Sequence, residues 1–163
     1  YWNALCKKHA FSAPLKIADG GATRFHSVIN GLKVVSSPDY IAIHDGVRPL
    51  VSHETITDCF AEAEISGAAI PVVDAVDSLR KITENGNVAV DRSLYKMVQT
   101  PQVFEAGLIL EAYNQDFSDT FTDDASVVEA FGHKVSLVAG NRENIKITTQ
   151  TDMLLAEAIL NSK

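Results

Sequence analysis

Apolar and polar positions follow two rhythms along the chain, one typical of amphipathic helices and one typical of buried strands. Within residues 23–37, Phe25, Val28, Ile29 and Leu32 recur at helical spacing, whereas residues 40–44 form a continuous apolar run. Helical spacing predicts an opening helix that contains Trp2, Leu5 and Cys6, and further helices over residues 23–37, 52–67, 103–113, 122–132 and 151–160. Short apolar runs predict strands over residues 15–21, 40–44, 68–73, 95–99, 134–140 and 144–148.

Capping residues support several of these boundaries. Thr23 and Thr122 precede predicted helices and suit the N-cap position, where a hydroxyl accepts from a free backbone N–H. Gly67 and Gly132 follow predicted helices and suit their C-terminal ends. Between residues 77 and 92 the pattern changes, and Asn85-Gly86 is a strong hairpin signal. We therefore predict an antiparallel arm over residues 75–94, inserted into the fold.

The alternation of strands and helices predicts an α/β domain with a mostly parallel sheet and helices on both faces. In such sheets, ligands bind beyond the carboxyl ends of the strands. Polar residues gather at the predicted strand ends, namely Gly20-Gly21 with Arg24 and Ser27, residues 44–48, Asp74, Thr100, Thr122-Asp123 and Lys146. We expect several of them to converge on one site.

Composition narrows the possible functions. The 163 residues suit a single domain over residues 1–163, and the formal net charge of -7 argues against a nucleic-acid-binding surface. No apolar run reaches the length of a membrane span and no signal peptide is visible, so we expect no membrane partner and a cytoplasmic location. Cys6 and Cys59 lie far apart and form neither a metal-binding nor a redox motif.

The strongest local candidates are Asp45 and Arg48, which follow the apolar run of residues 40–44. A carboxylate can hold a substrate hydroxyl or a metal ion, and an arginine can bind a phosphate, but an internal ion pair that fixes the loop is equally compatible. His44 suits a packed, hydrogen-bonded core position better than a catalytic base. Lys146 suits a phosphate ligand, although an edge strand would also tolerate a lysine.

Other candidates are weaker when taken singly. Gly20-Gly21 precedes a helix and suits an anion-binding loop, but an ordinary turn explains it as well. Arg92 suits a solvated surface position, Thr100 lies in the turn TPQ, and Thr122 is explained by helix capping. Residue patterns alone therefore reach an α/β domain with an anion-binding cleft.

Six blocks in sequence order are more specific than any single residue. The blocks are DGGATRFHSVINGL, IHDGVRPLV, AIPVVDAVDSL, DRSLYKMVQTPQVF, TDDASVVEAFGHKVSLVAGNRENIKIT and TDMLLAEAIL. Together they resemble the 2-C-methyl-D-erythritol 4-phosphate cytidylyltransferase family over about residues 19–160. The motifs HDxxRP, QTPQxF and NIKIT within them are specific to this family and to its relatives, the ribitol 5-phosphate cytidylyltransferases.

The resemblance implies a Rossmann-like nucleotidyltransferase fold and a reaction with Mg2+ in which the phosphate of methylerythritol phosphate attacks CTP and releases pyrophosphate. It implies catalytic roles for Lys146 and Arg92. It implies nucleotide contacts from Gly21, Ser27 and Gly46.

The polyol phosphate would be held by Asp45, supported by Arg48 and Thr122. The hairpin resembles the family's dimerisation arm, so the resemblance implies a homodimer. Arg92 and Thr100 would then reach into the partner subunit's site and hold the substrate phosphate.

The chain also departs from the family. Ala22 and Ala75 stand where many members have polar residues, so the resemblance implies no polar side-chain contact from position 75. The family's opening strand and its loop LAAGxGxRM are absent from these residues, so we expect the 163-residue chain alone to be inactive. Alternatives are a ribitol 5-phosphate cytidylyltransferase, a non-catalytic dimerisation module, and, less favoured, a transferase for another nucleotide.

Overall fold

The computed structural model describes residues 1–162, which form two compact units, Tyr1–Ser36 and the rest of the chain from Ser37. The smaller unit contains helices α1 (Trp2–Lys8) and α2 (Arg24–Leu32). Thr23 is the N-cap of α2, as predicted, and its side chain accepts from the His26 N–H. Helix α2 ends at Leu32, five residues before the predicted end at residue 37, because a turn and the Ser37-Pro38 pair follow.

Residues 15–21 form no strand, so that prediction is wrong. The segment is held by a side chain instead of a ladder of backbone hydrogen bonds. Lys16 Nζ donates to the Val34 carbonyl oxygen at 2.9 Å and to Ser36 Oγ at 2.8 Å.

The larger unit is built on a five-stranded sheet with helices. Its strands are β1 (Tyr40–Ile43), β2 (Ala68–Asp74), β5 (Lys96–Val98), β6 (Gln102–Glu105) and β7 (Ser136–Ala139). A separate hairpin pairs β3 (Arg80–Thr83) with β4 (Gly86–Ala89), and a 3-10 turn covers Arg92–Leu94. The helices are α3 (His53–Ser66), α4 (Ala106–Ala112), α5 (Asp124–Ala130) and α6 (Gln150–Asn161).

The strand directions do not confirm the expected mostly parallel sheet. The order is β1-β6-β2-β5, with β7 also paired to β2. Only β2 and β7 pair in parallel among the described strands, while β1–β6, β2–β6 and β2–β5 are antiparallel. Strands β1, β2 and β7 nevertheless share one direction. The β1–β6 and β2–β6 pairs are antiparallel because residues 103–105, which were expected to open a helix, belong to β6, which lies between β1 and β2.

The core of the larger unit lies between α3 and the sheet. Cys59 and Ala63 of α3 pack with Ala69 of β2 and Val103 of β6. In β6, residues 102–104 are fully buried. Strand β6 lies within the sheet, between β1 and β2. Of the predicted helix over residues 103–113, only α4 is therefore helical.

Helix ends in the larger unit follow local chemistry. Ser52 caps α3 through the Thr55 N–H at 3.0 Å, and Gly67 ends it with a φ of 80°. The predicted N-cap Thr122 is wrong by one residue, because the Asp123 carboxylate accepts from the Ser126 N–H at 2.9 Å. A charged acceptor in this place satisfies a free N–H of the first turn and suits the helix dipole.

The predicted hairpin is confirmed at Asn85-Gly86, where Thr83 pairs with Gly86 and Gly86 has a φ of 124°. The predicted strand over residues 144–148 is wrong, since the segment has no regular structure. None of the helices described within residues 1–162 combines the length and the apolar character that a bilayer span requires.

Candidate active site

A hydrogen-bonded cluster forms where β1 ends and the turn after β5 returns. Thr100 Oγ1 accepts from the Asp45 N–H at 3.0 Å and lies 2.9 Å from His44 Nδ1. His44 Nε2 lies 2.9 Å from the Arg48 carbonyl oxygen. A carbonyl oxygen only accepts, so His44 Nε2 donates this hydrogen bond. In the neutral ring that has its proton on Nε2, Nδ1 accepts a hydrogen bond from the Thr100 hydroxyl. The Thr100 hydroxyl and both His44 ring nitrogens therefore have hydrogen-bond partners, and these bonds fix the Asp45 loop.

Asp45 carries two cations on the same carboxylate oxygen. Its Oδ2 lies 3.1 Å from Lys146 Nζ and 3.5 Å from Arg48 Nε. Asp45 and Arg48 are largely buried, whereas the Lys146 side chain is 50% exposed. The internal Asp45–Arg48 pair that the sequence allowed therefore exists. This ion pair does not exclude a role in substrate binding, because Asp45, Arg48 and Lys146 together leave a net charge of +1 at the end of the sheet.

Two hydrogen bonds hold the segment that carries Lys146. The Ile147 N–H donates to the Val47 carbonyl oxygen at 2.9 Å. The Arg48 guanidinium donates through Nη1 to the Asn144 carbonyl oxygen at 2.7 Å. The segment is thus attached to the Asp45 loop without forming a strand.

The structure brings together four of the predicted residues, Asp45, Arg48, Thr100 and Lys146, and Gly46 lies in the same loop. A Cβ added at Gly46 would meet no atom within 4 Å, so the backbone there is open to a ligand. Thr100 is buried and bonded within its own chain. That placement does not favour the expectation that Thr100 reaches the partner's site.

Thr122 is not joined to this cluster by any hydrogen bond or ion pair among the described residues, and it is exposed. Its neighbour Asp123 accepts from Gln102 Nε2 at 2.8 Å. Asp123, and not Thr122, therefore hydrogen-bonds to strand β6.

Arg92 lies elsewhere in the larger unit and donates through Nη1 to the Val76 carbonyl oxygen. It lines a cavity of about 450 Å³ together with Asp74, Lys96 and Arg142. The hydrogen bond and charge of Lys96, with the more distant charge of Arg142, hold the pKa of Asp74 below its ordinary value. Three cations and one carboxylate make this cavity suited to an anion.

Gly21 and Ser27 lie in the smaller unit, at the start of α2. The Gly21 N–H donates to Ser27 Oγ at 2.9 Å, and Ser27 Oγ donates to the Thr23 carbonyl oxygen at 3.0 Å. A Cβ at Gly21 would lie 2.4 Å from His26 Cβ, so only glycine fits without rearrangement. The predicted turn is thus a tight one that wraps the helix N-terminus.

Sequence reasoning missed Asn144 and misjudged the burial of His44. His44 is exposed, which corrects the expected core position, although both ring nitrogens are bonded as expected of a structural histidine. Asn144 is fully buried and donates through Nδ2 to the Thr100 carbonyl oxygen at 2.8 Å. The available signal was a polar side chain at the head of the apolar segment NIKIT.

The side chains that the structure describes do not form a resident metal site. Among residues 1–162 no group of three or more His, Cys, Asp and Glu side chains is placed to hold a metal ion. Asp45, the carboxylate of the cluster, is already paired with two cations. Mg2+ commonly uses one or two carboxylates and completes its shell with water and substrate phosphates. These residues therefore do not fit a protein-built magnesium cage.

Comparisons with known proteins agree on one family. The family model described as 2-C-methyl-D-erythritol 4-phosphate cytidylyltransferase matches residues 4–162. A protein of that name from Bacteroides fragilis is 56% identical over 160 residues, which cover 98% of this chain and 73% of the relative. One from Porphyromonas gingivalis is 52% identical over 163 residues, covering 99% of this chain and 73% of the relative.

Solved structures give the same result. The 4-diphosphocytidyl-2C-methyl-D-erythritol synthase of Anaerococcus prevotii superposes with a TM-score of 0.85 at 29% identity, over 98% of this chain and 77% of that one. The 2-C-methyl-D-erythritol 4-phosphate cytidylyltransferase of Thermus thermophilus gives 0.78 at 34% identity, over 93% and 78%.

An α/β sheet with a cation-rich polar cluster at its strand ends, matched to these structures, defines an α/β nucleotidyltransferase. Within that class, the chain belongs to the 2-C-methyl-D-erythritol 4-phosphate cytidylyltransferase family. The resemblance seen in the sequence is confirmed.

Proposed function

We propose that this enzyme transfers a cytidylyl group from CTP to 2-C-methyl-D-erythritol 4-phosphate in non-mevalonate isoprenoid biosynthesis. An oxygen of the substrate phosphate forms a bond to the α-phosphorus of CTP. The bond from that phosphorus to the β-phosphate oxygen breaks, and pyrophosphate leaves with the electron pair. The observation that carries the proposal is the pairing of Asp45 with Lys146 and Arg48 in a chain of this family.

The cluster suits this reaction because phosphoryl transfer depends on positioning and charge neutralisation more than on covalent chemistry. Lys146 is half exposed, and its ammonium group would turn to the phosphate oxygens at the reacting centre. Asp45 would accept hydrogen bonds from the polyol hydroxyls. Arg48, fixed by the Asn144 carbonyl oxygen, would hold the Asp45 carboxylate in place. Thr100 would hold the Asp45 backbone.

The nucleotide contacts belong to the proposal as well. Gly21, Ser27 and the Gly46 backbone would contact the cytidine nucleotide. Mg2+ would be carried by the phosphates of CTP, since the described side chains form no cage for it. Thr122 would support the polyol, which is the least supported role because no described contact joins Thr122 to the cluster.

We further propose that residues 75–94 dimerise the enzyme and that Arg92 serves the partner subunit's site. The arm is exposed along both strands. It presents large apolar side chains to solvent, with Ile82 77% and Leu94 79% exposed. Exposed apolar surface of this extent is typical of an interface, and a second copy of the arm is an apolar partner of matching size.

Substituting Leu94→Glu tests the dimer. A buried, unpaired carboxylate opposes association, so we expect a monomer by light scattering and a loss of turnover if Arg92 works in trans. Ile65→Glu is the matched control, because Ile65 is 83% exposed on α3, outside the arm. A Leu94→Glu protein that stays dimeric and fully active would exclude the arm from the interface.

Pyrophosphate release from CTP tests the reaction itself, with methylerythritol phosphate and ribitol 5-phosphate compared under identical conditions. We expect the former to be preferred, and preference for the latter would overturn the substrate assignment. The 163 residues span 73% of the length of the curated relatives, so the gene product that contains them is assayed beside the 163-residue chain. A non-catalytic module would dimerise but release no pyrophosphate with either acceptor.

The role of Lys146 is tested by Lys146→Met, which keeps the length of the side chain and removes its charge. We expect kcat/KM to fall by about 100-fold or more, the scale seen when one charge-stabilising donor is removed. Lys134→Met is the control, because Lys134 is exposed and no described hydrogen bond or ion pair joins it to the cluster. Equal activity of the two variants would contradict the assignment.

A further inference from the structure

Asn144 occupies an unusual position for a polar side chain. It is fully buried, and it opens the 144–148 segment, which has no strand pairing of its own. Lys146 follows two residues later. Any movement of the Asn144 backbone is therefore passed directly to the lysine.

Two hydrogen bonds tie Asn144 to opposite sides of the cluster. Its Nδ2 donates to the Thr100 carbonyl oxygen at 2.8 Å, and its own carbonyl oxygen accepts from Arg48 Nη1 at 2.7 Å. Thr100, Arg48 and Lys146 each contact Asp45 in turn. One residue thus links the three groups that surround the Asp45 carboxylate.

The side chain is not optimised for stability. Asn144 Oδ1 is buried without a hydrogen-bond partner, and so is Arg48 Nε, which lies at ion-pair distance from Asp45 but is poorly aimed. Unsatisfied buried polar atoms cost free energy. Such local conflicts collect at functional sites, where geometry takes precedence over stability.

We propose that Asn144 is a positioning residue for the reaction, which sets Lys146 and Arg48 relative to Asp45. This inference rests on the proposed function and deepens it. Asn144 acts on the Asp45 end of the site, where the polyol hydroxyls and the reacting phosphate are proposed to bind, because the groups that it orients, Arg48 and Lys146, lie there. Gly21 and Ser27, for which nucleotide contacts are proposed, belong to the other compact unit, Tyr1–Ser36.

The test compares Asn144→Ala and Asn144→Leu with a matched control in the active gene product. Asn141→Ala is the control, because Asn141 ties Leu50 and Ser52 to the same loop but contacts none of the four cluster residues through its side chain. For the Asn144 variants we expect kcat/KM for the polyol phosphate to fall about 10- to 100-fold, as for small misplacements of reacting groups. We expect KM for CTP to stay within about two-fold.

A residue with a merely structural role would give another result. Asn141→Ala is expected to lower the melting temperature while both KM values stay near the wild type. If the Asn144 variants behave in the same way, or if KM for CTP and KM for the polyol phosphate rise together, the proposal is overturned. The Asn144→Leu protein keeps the side-chain volume, so it remains informative if Asn144→Ala folds poorly.

A double-mutant cycle with Lys146→Met separates action through Lys146 from independent effects. If Asn144 acts through that lysine, adding Asn144→Ala to Lys146→Met lowers kcat/KM by at most about two-fold more. Losses that multiply would show that Asn144 does not act through Lys146.

A crystal structure of the Asn144→Ala protein gives an answer that does not depend on turnover. We expect the Lys146 Nζ–Asp45 Oδ2 contact, 3.1 Å here, to open beyond ion-pair distance. Its retention would overturn the positioning role. Wild-type enzyme that is inactive with both polyol phosphates would count against the proposed function alone, and the crystallographic result would still decide the role of Asn144.

Discussion

Replacing Gln102 by leucine is expected to destabilise the larger unit although the two side chains have similar size. Gln102 is fully buried in β6. Its Oε1 accepts from the Ala125 N–H at 2.8 Å, and its Nε2 donates to Asp123 Oδ2 at 2.8 Å. One side chain from a strand therefore completes the N-terminus of α5.

The magnitude follows from three contributions. The buried Ala125 N–H would be left without an acceptor, at a cost of about 1–3 kcal/mol. Asp123 Oδ2 would lose a charge-assisted bond, which we set at about 1 kcal/mol because Asp123 is only half-buried and still binds the Ser126 N–H. Burial of the extra apolar surface of leucine returns about 1 kcal/mol. The net loss is about 1–3 kcal/mol, or roughly 4–8 °C in melting temperature near the centre of that range.

Urea unfolding followed by circular dichroism measures this loss. The control is Gln150→Leu, which replaces an exposed glutamine at the start of α6 and is expected to change the unfolding free energy by less than about 0.5 kcal/mol. If Gln102→Leu costs no more than this control, the hydrogen bonds of Gln102 do not stabilise α5, and the reasoning fails.

Two further predictions concern titratable groups. The backbone N–H groups of residues 148–149 lower the pKa of Asp152, so its stabilising effect is present above the ordinary aspartate pKa of about 3.9 and is lost as pH falls through the lowered value. Calorimetry should show that Asp152→Ala lowers the melting temperature at pH 7 and that the difference from wild type shrinks in acid; a constant difference would contradict this. Burial, with a smaller effect of the neighbouring Asp58 charge, raises the pKa of Cys59 to about 12, so a maleimide at pH 8 should label Cys6 alone in the folded chain. Equally rapid labelling of both cysteines would refute that expectation.

Elements with strong local signals were predicted well. The helices over residues 52–67 and 151–160 and the hairpin at Asn85-Gly86 have caps or turn residues that act within a few positions. Strand β6 was missed because its apolar residues 103–104 continue into a helix without any turn signal. Its strand conformation comes from pairing with β1 and β2, which is tertiary information.

The candidate site shows the same division. The short segments that carry Asp45, Thr100 and Lys146 were identified from the sequence, because polar residues after apolar runs are visible there. The contacts that hold these segments in place were not identified from the sequence. The sequence predicts a strand over residues 144–148, but the segment is held by the buried Asn144 amide, by the Arg48 guanidinium and by one backbone bond to Val47. No periodic pattern encodes such contacts between distant segments.

The charges of the cluster explain how an acidic chain can receive an anionic substrate. The chain carries a formal charge of -7, yet Asp45, Arg48 and Lys146 together sum to +1 at the sheet end. The largely buried Arg48 stays with Asp45, because separating them would leave an uncompensated charge away from water. The Lys146 contact is half exposed, and ion pairs of that kind contribute only about 0–1 kcal/mol. Lys146 can therefore leave Asp45 for an incoming phosphate at little cost, and the Asp45 carboxylate would then accept hydrogen bonds from the substrate hydroxyls.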